Sequence, residues 1–156
     1  MTATLLQTVD NFFAPATSSK DIKLSSLLGY HVVLYFYPKD STPGCVMEGQ
    51  DFSAHYEDFK NEKTIVFGVS RDSLASHEKF KAAQSFPFEL ISDTNEQLCK
   101  QFDVLKTKNS YGQQTTGVNR STFLINKEGI LVEEWRGVSI AGHIKDVLDA
   151  AKKLNQ

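Results

Sequence analysis

The run His31 to Tyr37 (HVVLYFY) is β-branched, aromatic and nearly continuous in apolar character, which predicts a central strand buried on both faces. Before it, Phe12 to Leu24 carries Pro15, a polar cluster at Thr17-Ser18-Ser19 and the alternating pair Ile22 and Leu24, the pattern of a hairpin. The segment LSSLLG then reads as a short helical turn ended by Gly29. After the central strand, Phe52, Tyr56 and Phe59 recur at helical spacing and predict one long helix over roughly 43–60. Thr64 to Val69 is a second strand, followed by a helix that Asp72 or Ser73 could cap, with Leu74, His77, Phe80 and Lys81 at helical spacing. Phe86 to Ile91 reads as a short strand interrupted at its start by Pro87, and Asp93 to Phe102 as a short helix with Asp93 and Glu96 spaced as a capping pair. Strands Ser121–Ile125 and Ile130–Trp135 are joined by Asn126-Lys127-Glu128-Gly129, a hairpin signal, and a last helix is predicted from about Ile140 to Leu154. The segment 103–119 is left as the one long loop, and long ordered loops in small domains are usually functional.

Strands that alternate with helices and then give way to a hairpin and a closing helix indicate an α/β three-layer sandwich with a mixed central sheet and an N-terminal hairpin. The chain has 156 residues and 40% hydrophobic content, which fits a single domain over 1–156 with a sizeable core. A net charge of -2 without a Lys/Arg block excludes an electrostatic footprint for nucleic acid. The N-terminus lacks a basic region followed by a long apolar one, and no segment reaches about 18 consecutive apolar residues. No membrane partner and a cytoplasmic location are expected. Two cysteines in a chain of this length do not make a disulfide framework and suit a reducing compartment.

One of the two carries the chemistry. In YFYPKDSTPGC the strand breaks at Pro38 and a helix is predicted to begin at Thr42-Pro43, which puts Cys45 in its first turn. Unpaired backbone N–H groups and the positive end of the helix dipole favour an anion there, so Cys45 reads as a reactive thiolate. With Thr42 as N-cap, its side-chain oxygen would hold the first turn, and Pro43 would occupy the first helical position, where a missing N–H costs little. A cysteine at a strand-to-helix junction of such a sheet is the thioredoxin-like arrangement, although fold alone does not decide function.

The motif Pro38-x-x-x-Thr42-x-x-Cys45 within FYPKDSTPGCVMEGQDF resembles the active-site signature of peroxiredoxins, in particular the bacterioferritin comigratory protein or peroxiredoxin Q class. Further matches follow in order: GVSRDS at 68–73, FPFELISD at 86–93, Tyr111-Gly112, and RSTFLI at 120–125. The resemblance implies a thiol-dependent peroxidase for hydrogen peroxide and organic hydroperoxides, with no cofactor and no metal. It implies Cys45 as the nucleophile, oxidised to a sulfenic acid, and Thr42 as a hydroxyl able to hydrogen-bond peroxide or thiolate. Arg120 is implied to lie across from Cys45 and stabilise the charge on sulfur and leaving oxygen, with Glu48 orienting it. Pro38 would shield the sulfur, and Gly44 would leave room for substrate.

Many members of the class carry a resolving cysteine five residues after the peroxidatic one, where this chain has Gln50, and others place it on the following helix, where 73–85 holds none. The expectation is therefore a one-Cys enzyme, a monomer or weak homodimer, recycled by an external thiol such as thioredoxin or glutathione with glutaredoxin. Leu98, Cys99 and Phe102 share one side of their helix, so Cys99 reads as buried filler. An intramolecular disulfide with Cys99 is the alternative route of recycling. Rival functions are a thiol-disulfide oxidoreductase, which normally needs C-x-x-C where position 48 here is Glu, and an inactive thioredoxin-like binding module. His31, His55, His77 and His143 show no ligand spacing and read as structural, and Trp135 as packed on the terminal helix.

Overall fold

In the computed structural model, which describes residues 2–156, the N-terminal hairpin forms from Phe13–Ala16 (β1) and Lys20–Lys23 (β2), and Leu24–Leu27 follows as a single 3-10 turn. The apolar run is His31–Phe36 (β3), every residue of which is buried. Helices Pro43–Ala54 (α1) and Tyr56–Asn61 (α2) lead to Thr64–Ser70 (β4), Leu74–Gln84 (α3), Glu89–Ser92 (β5) and Gln97–Gln101 (α4). A hairpin of Leu105–Ser110 (β6) and Gln113–Val118 (β7), a second of Ser121–Ile125 (β8) and Leu131–Arg136 (β9), and helix His143–Lys153 (α5) complete the order.

Seven strands make one mixed sheet in the order β2-β1-β5-β4-β3-β8-β9, with β3, β4 and β5 parallel and the outer strands antiparallel. Because side chains alternate along a strand, β3 divides the interior in two. Val33 and Tyr35, with Tyr37 beyond the strand, face a cluster that includes Phe52, Phe59, Phe80, Ile144 and Val147, so α1, α2, α3 and α5 cover that side. Val32, Leu34 and Phe36 face Leu24, Leu98, Cys99, Phe102 and Phe123, so the 3-10 turn and α4 cover the other. The three layers and mixed sheet are as predicted, and the first hairpin extends the sheet through the pairing of Ala16 with Ile91.

The strand expected from Phe86 starts only at Glu89, and four larger differences from the sequence reading have physical causes. The helix expected over 43–60 breaks at His55, whose ring Nδ1 lies 3.0 Å from the Asp51 carbonyl while its backbone N–H turns to Phe52 O at 3.2 Å. A side chain occupying the helical acceptor is a recognised cause of a break. The helix expected from Asp93 starts at Gln97, because Glu96 sits at φ 62 and pairs with Arg71 rather than reaching back to Asp93. Asp93 still caps: its carboxylate accepts from the N–H groups of Leu98 and Cys99 at 2.9 and 2.8 Å. The last helix is shorter than predicted, beginning at His143 after Gly142 at φ 75. The predicted long loop is the β6–β7 hairpin, closed by Tyr111 and Gly112 at φ 51 and 77, the left-handed pair that a tight two-residue turn requires.

Helix α1 lies directly on an aromatic ring. A Cβ on Gly49 would stand 2.3 Å from Phe86 Cζ, and Phe86 is itself held between Phe80 and Phe88 at centroid distances of 5.0 and 5.2 Å. Alanine is the better helix former by about 1 kcal/mol, whereas overpacking a core costs about 1–3 kcal/mol. Gly49→Ala is expected to lower the urea unfolding free energy by about 1–2 kcal/mol, with packing outweighing propensity. An unchanged or raised midpoint would show that α1 does not rest on Phe86.

Candidate active site

The site is built where β3 ends and α1 begins. The connecting loop turns at Ser41, φ 64, and is anchored below by Asp40, a buried carboxylate. Tyr37 Oη donates to Asp40 Oδ1 at 2.7 Å, Ser76 Oγ to Oδ2 at 2.8 Å, and His77 Nδ1 lies 2.7 Å from the same oxygen. His77 Nε2 is 3.0 Å from the Ile91 carbonyl, so both ring nitrogens face oxygen atoms. Burial alone would raise the Asp40 carboxyl, but the hydrogen bonds from His77, Tyr37 and Ser76 outweigh it and hold it below the ordinary carboxylate range. Neither residue stands out in the sequence as part of the site: Asp40 carries no separate signal, and His77 is one position in a helical pattern. Asp40, Asp72 and His77 bring ligand-type atoms within 4.8 Å of one another. Those atoms are engaged in hydrogen bonds, including Ser70 Oγ and Asp40 N–H to Asp72, and no metal is needed to explain the arrangement.

Pro43 takes the first helical position, as expected, and Cys45 follows in the first turn with 2% of its surface exposed. Thr42 is the N-cap by backbone, at φ -79 and ψ 151, but its hydroxyl does not cap the helix. It donates instead to the Lys39 carbonyl at 2.8 Å, because the turn at Ser41 brings that acceptor within reach. The amides at the start of α1 thus receive no side-chain cap.

Arg120 reaches the sulfur through sheet register. β8 pairs antiparallel with β3 so that Ser121 opposes Phe36, and the residue before β8 therefore emerges beside the loop that leaves β3. Its Nη2 lies 3.4 Å from Cys45 Sγ, and its Nη1 donates to Glu48 Oε1 at 2.5 Å. Glu48 stands three residues beyond Cys45 and so shares its face of α1. It is fully buried, and its Oε2 has no hydrogen-bond partner. Burial pushes the Glu48 carboxyl up to about 7 against the opposing pull of Arg120. For Arg120 itself, burial is outweighed by Glu48 and Cys45, which hold the guanidinium charged. At Gly44, a Cβ would lie 3.2 Å from Arg120 Nη2 and 3.6 Å from Ile140 Cδ1. Its missing side chain makes room for the guanidinium. Pro38 is exposed and borders a groove together with Arg120.

Cys99 lies in the core cluster on the far side of the sheet from Cys45. Both thiols are free. Burial and the neighbouring Asp93 carboxylate push the Cys99 thiol well up. His143, also buried, has Nε2 2.8 Å from Thr122 Oγ1, and burial lowers it to about 4. Trp135 packs edge-on to His143 at 5.7 Å, at the start of the terminal helix as predicted. No helix among the described residues is long and apolar enough to cross a membrane.

The AhpC/TSA family model matches residues 6–134. The chain is 53% identical to peroxiredoxin Bcp of Xanthomonas campestris pv. campestris, over 80% of this chain and 78% of that one. It is 44% identical to peroxiredoxin Bcp of Bacillus subtilis, over 86% of each. A solved structure of the Xanthomonas campestris bacterioferritin comigratory protein, a trapped intermediate/ligand complex studied for alkyl peroxide reduction, superposes with a TM-score of 0.92 at 45% identity and 99% coverage of both chains.

The buried carboxyl makes stability depend on pH. Glu48 gives up its proton near 4.5 when unfolded but near 7 when folded, so the folded state holds a proton that the unfolded state has lost. That contribution is complete below 4.5 and disappears as pH rises through 7. Glu48→Gln, which keeps an acceptor for Arg120 without the charge, should therefore gain stability relative to the parent between pH 5 and 7.5, by about 1–3 kcal/mol in urea unfolding. A difference between the two proteins that stays constant over this range would show that Glu48 does not titrate there.

Proposed function

The chain belongs to the AhpC/TSA family, as a peroxiredoxin of the Bcp and peroxiredoxin Q class, and on that premise we propose that Cys45 is the peroxidatic residue, with Arg120, Glu48 and Thr42 as its supports. The protein is a thiol-dependent peroxidase. The observation that carries the assignment of residues is the Arg120 Nη2 contact with a buried sulfur in the first turn of α1. The sulfur, as thiolate, attacks the terminal oxygen of ROOH. The O–O bond breaks, its electron pair leaves with RO⁻, which takes up a proton to become ROH, and the sulfur is left as a sulfenic acid. Arg120 sits against the atom whose negative charge passes to the leaving oxygen, and preorganised cations at such a position are a large term in catalysis. Glu48 fixes the guanidinium by one of its two donor edges. The hydrogen bond from Thr42 to Lys39 leaves its oxygen lone pairs available to an incoming O–H. Alkyl peroxide reduction by the Xanthomonas relative supports organic hydroperoxides beside hydrogen peroxide as substrates.

For recycling we favour an external thiol, thioredoxin or glutathione with glutaredoxin. Cys45 and Cys99 lie on opposite faces of a seven-stranded sheet, whereas a disulfide brings its Cα atoms within about 7 Å. The support for the reading of residues 1–156 as one thioredoxin-like domain is the continuous sheet. The two free cysteines favour a reducing compartment such as the cytoplasm, and a monomer or weak homodimer is the simplest assembly.

Cys45→Ser should leave below about a hundredth of the peroxide consumption of the parent, since a hydroxyl does not replace a thiolate nucleophile. Cys99→Ser should turn over at the parent rate, and mass spectrometry of peroxide-treated parent protein should show oxygen on Cys45 rather than the loss of two hydrogens. A disulfide mass in the parent that vanishes in Cys99→Ser would overturn the one-Cys reading. Arg120→Lys should lose at least about tenfold in the rate of sulfur oxidation, because a point charge cannot hold sulfur and carboxylate with one planar fork. An unchanged rate would remove Arg120 from the chemistry.

A further inference from the structure

Two features remain outside this mechanism: Arg71, from the GVSRDS match, and the β6–β7 hairpin. They meet beside the site. Between them lies a groove of about 280 Å³ whose walls include Pro38, Arg71, Lys106, Lys108, Thr116 and Arg120.

Four cationic side chains line this groove. Arg71 and Arg120 are partly compensated, by Glu96 at 3.1 Å and by Glu48. Lys106 and Lys108 stand on one side of β6, two residues apart, and among the described residues neither forms an ion pair. The Arg71 guanidinium is spread between Glu96 and the Thr116 carbonyl, and its buried Nε has no partner. The groove ends on Arg120, the same side chain whose Nη2 touches Cys45 Sγ. It therefore joins a surplus of positive charge to the reacting sulfur.

We propose that this groove seats a low-molecular-weight thiol bearing carboxylates, which reduces the oxidised Cys45. The proposal rests on the external-thiol reading given above. With Cys45 2% exposed, the approach suits a small molecule better than a protein loop, and the unpaired lysines supply the charge complement for its carboxylates. The thiol sulfur attacks the sulfenic sulfur, the S–O bond breaks, and the oxygen leaves as water with the thiol proton and the proton it already carried. A second thiol then attacks the sulfur of the bound one, forming the small-molecule disulfide and returning Cys45 as thiolate.

The test starts from Cys45 already converted to sulfenic acid, in Cys99→Ser protein, and follows its reduction by glutathione, an anionic thiol, and by cysteamine, a cationic one. Between 20 and 300 mM salt, the glutathione rate should fall by at least about threefold while the cysteamine rate rises, because screening weakens attraction for one and repulsion for the other. In Lys106→Glu/Lys108→Glu protein the ratio of glutathione to cysteamine rates should drop by at least about tenfold, a ratio in which the intrinsic reactivities of the two thiols cancel. Should that variant fold poorly, Lys108→Gln and the salt series on the parent read the same preference. Equal salt dependence for both thiols, or an unchanged ratio in the variants, overturns the groove as the seat while leaving the external-thiol reading intact. A sulfenic acid that forms but that neither thiol reduces overturns both.

Discussion

The guanidinium of Arg120 is the contact on which the arrangement turns, because it is held by a carboxylate on one side and presents itself to a sulfur on the other. Each member of this trio depends on a different part of the fold. Arg120 is delivered by the register of β8 on β3, while Cys45 and Glu48 are delivered by one turn of α1. Removing both charged residues from water is costly, and the unpartnered Oε2 of Glu48 shows that the cost is not fully met. The pair is thus better understood as a device for position than as a source of stability.

Around that trio the structure spends much of its polar inventory on stiffness. Asp40 gathers donors from Tyr37, Ser76 and His77, and His77 ties the loop onward to the Ile91 carbonyl in β5. The strand-to-helix loop is therefore referenced to α3 and to the far part of the sheet, not only to its own ends. A loop held in this way keeps Thr42 and Cys45 in place without a side-chain cap on α1.

The parts of the fold legible in the sequence were those with a periodic apolar signal. HVVLYFY announces a doubly covered strand, and Ile144, Val147, Leu148 and Ala151 announce the buried face of α5. The β6–β7 hairpin was missed because LKTKNS and QQTTGV are polar on both faces, so no alternation marks them as strands. The only available signal was Tyr111-Gly112, whose left-handed backbone is a property of the turn itself. The break at His55 escaped notice because it depends on a ring seeking a particular carbonyl, which no periodicity encodes. In the site, Cys45 was visible from local sequence, and Arg120 only through resemblance, since the two are 75 positions apart. Thr42 is legible as the cap, but its hydrogen bond is not, because the competing acceptor, the Lys39 carbonyl, comes within reach only once the loop has folded.

The two thiols occupy separate compartments of one small molecule, divided by hydrogen-bonded strands that would have to part before the sulfurs could meet. On the proposed one-Cys reading, such a chain has no internal clock with which to end its oxidised state. The lifetime of that state would then be set from outside, by the supply of reductant, and the oxidised fraction would become a running measure of how far peroxide arrival outpaces thiol supply.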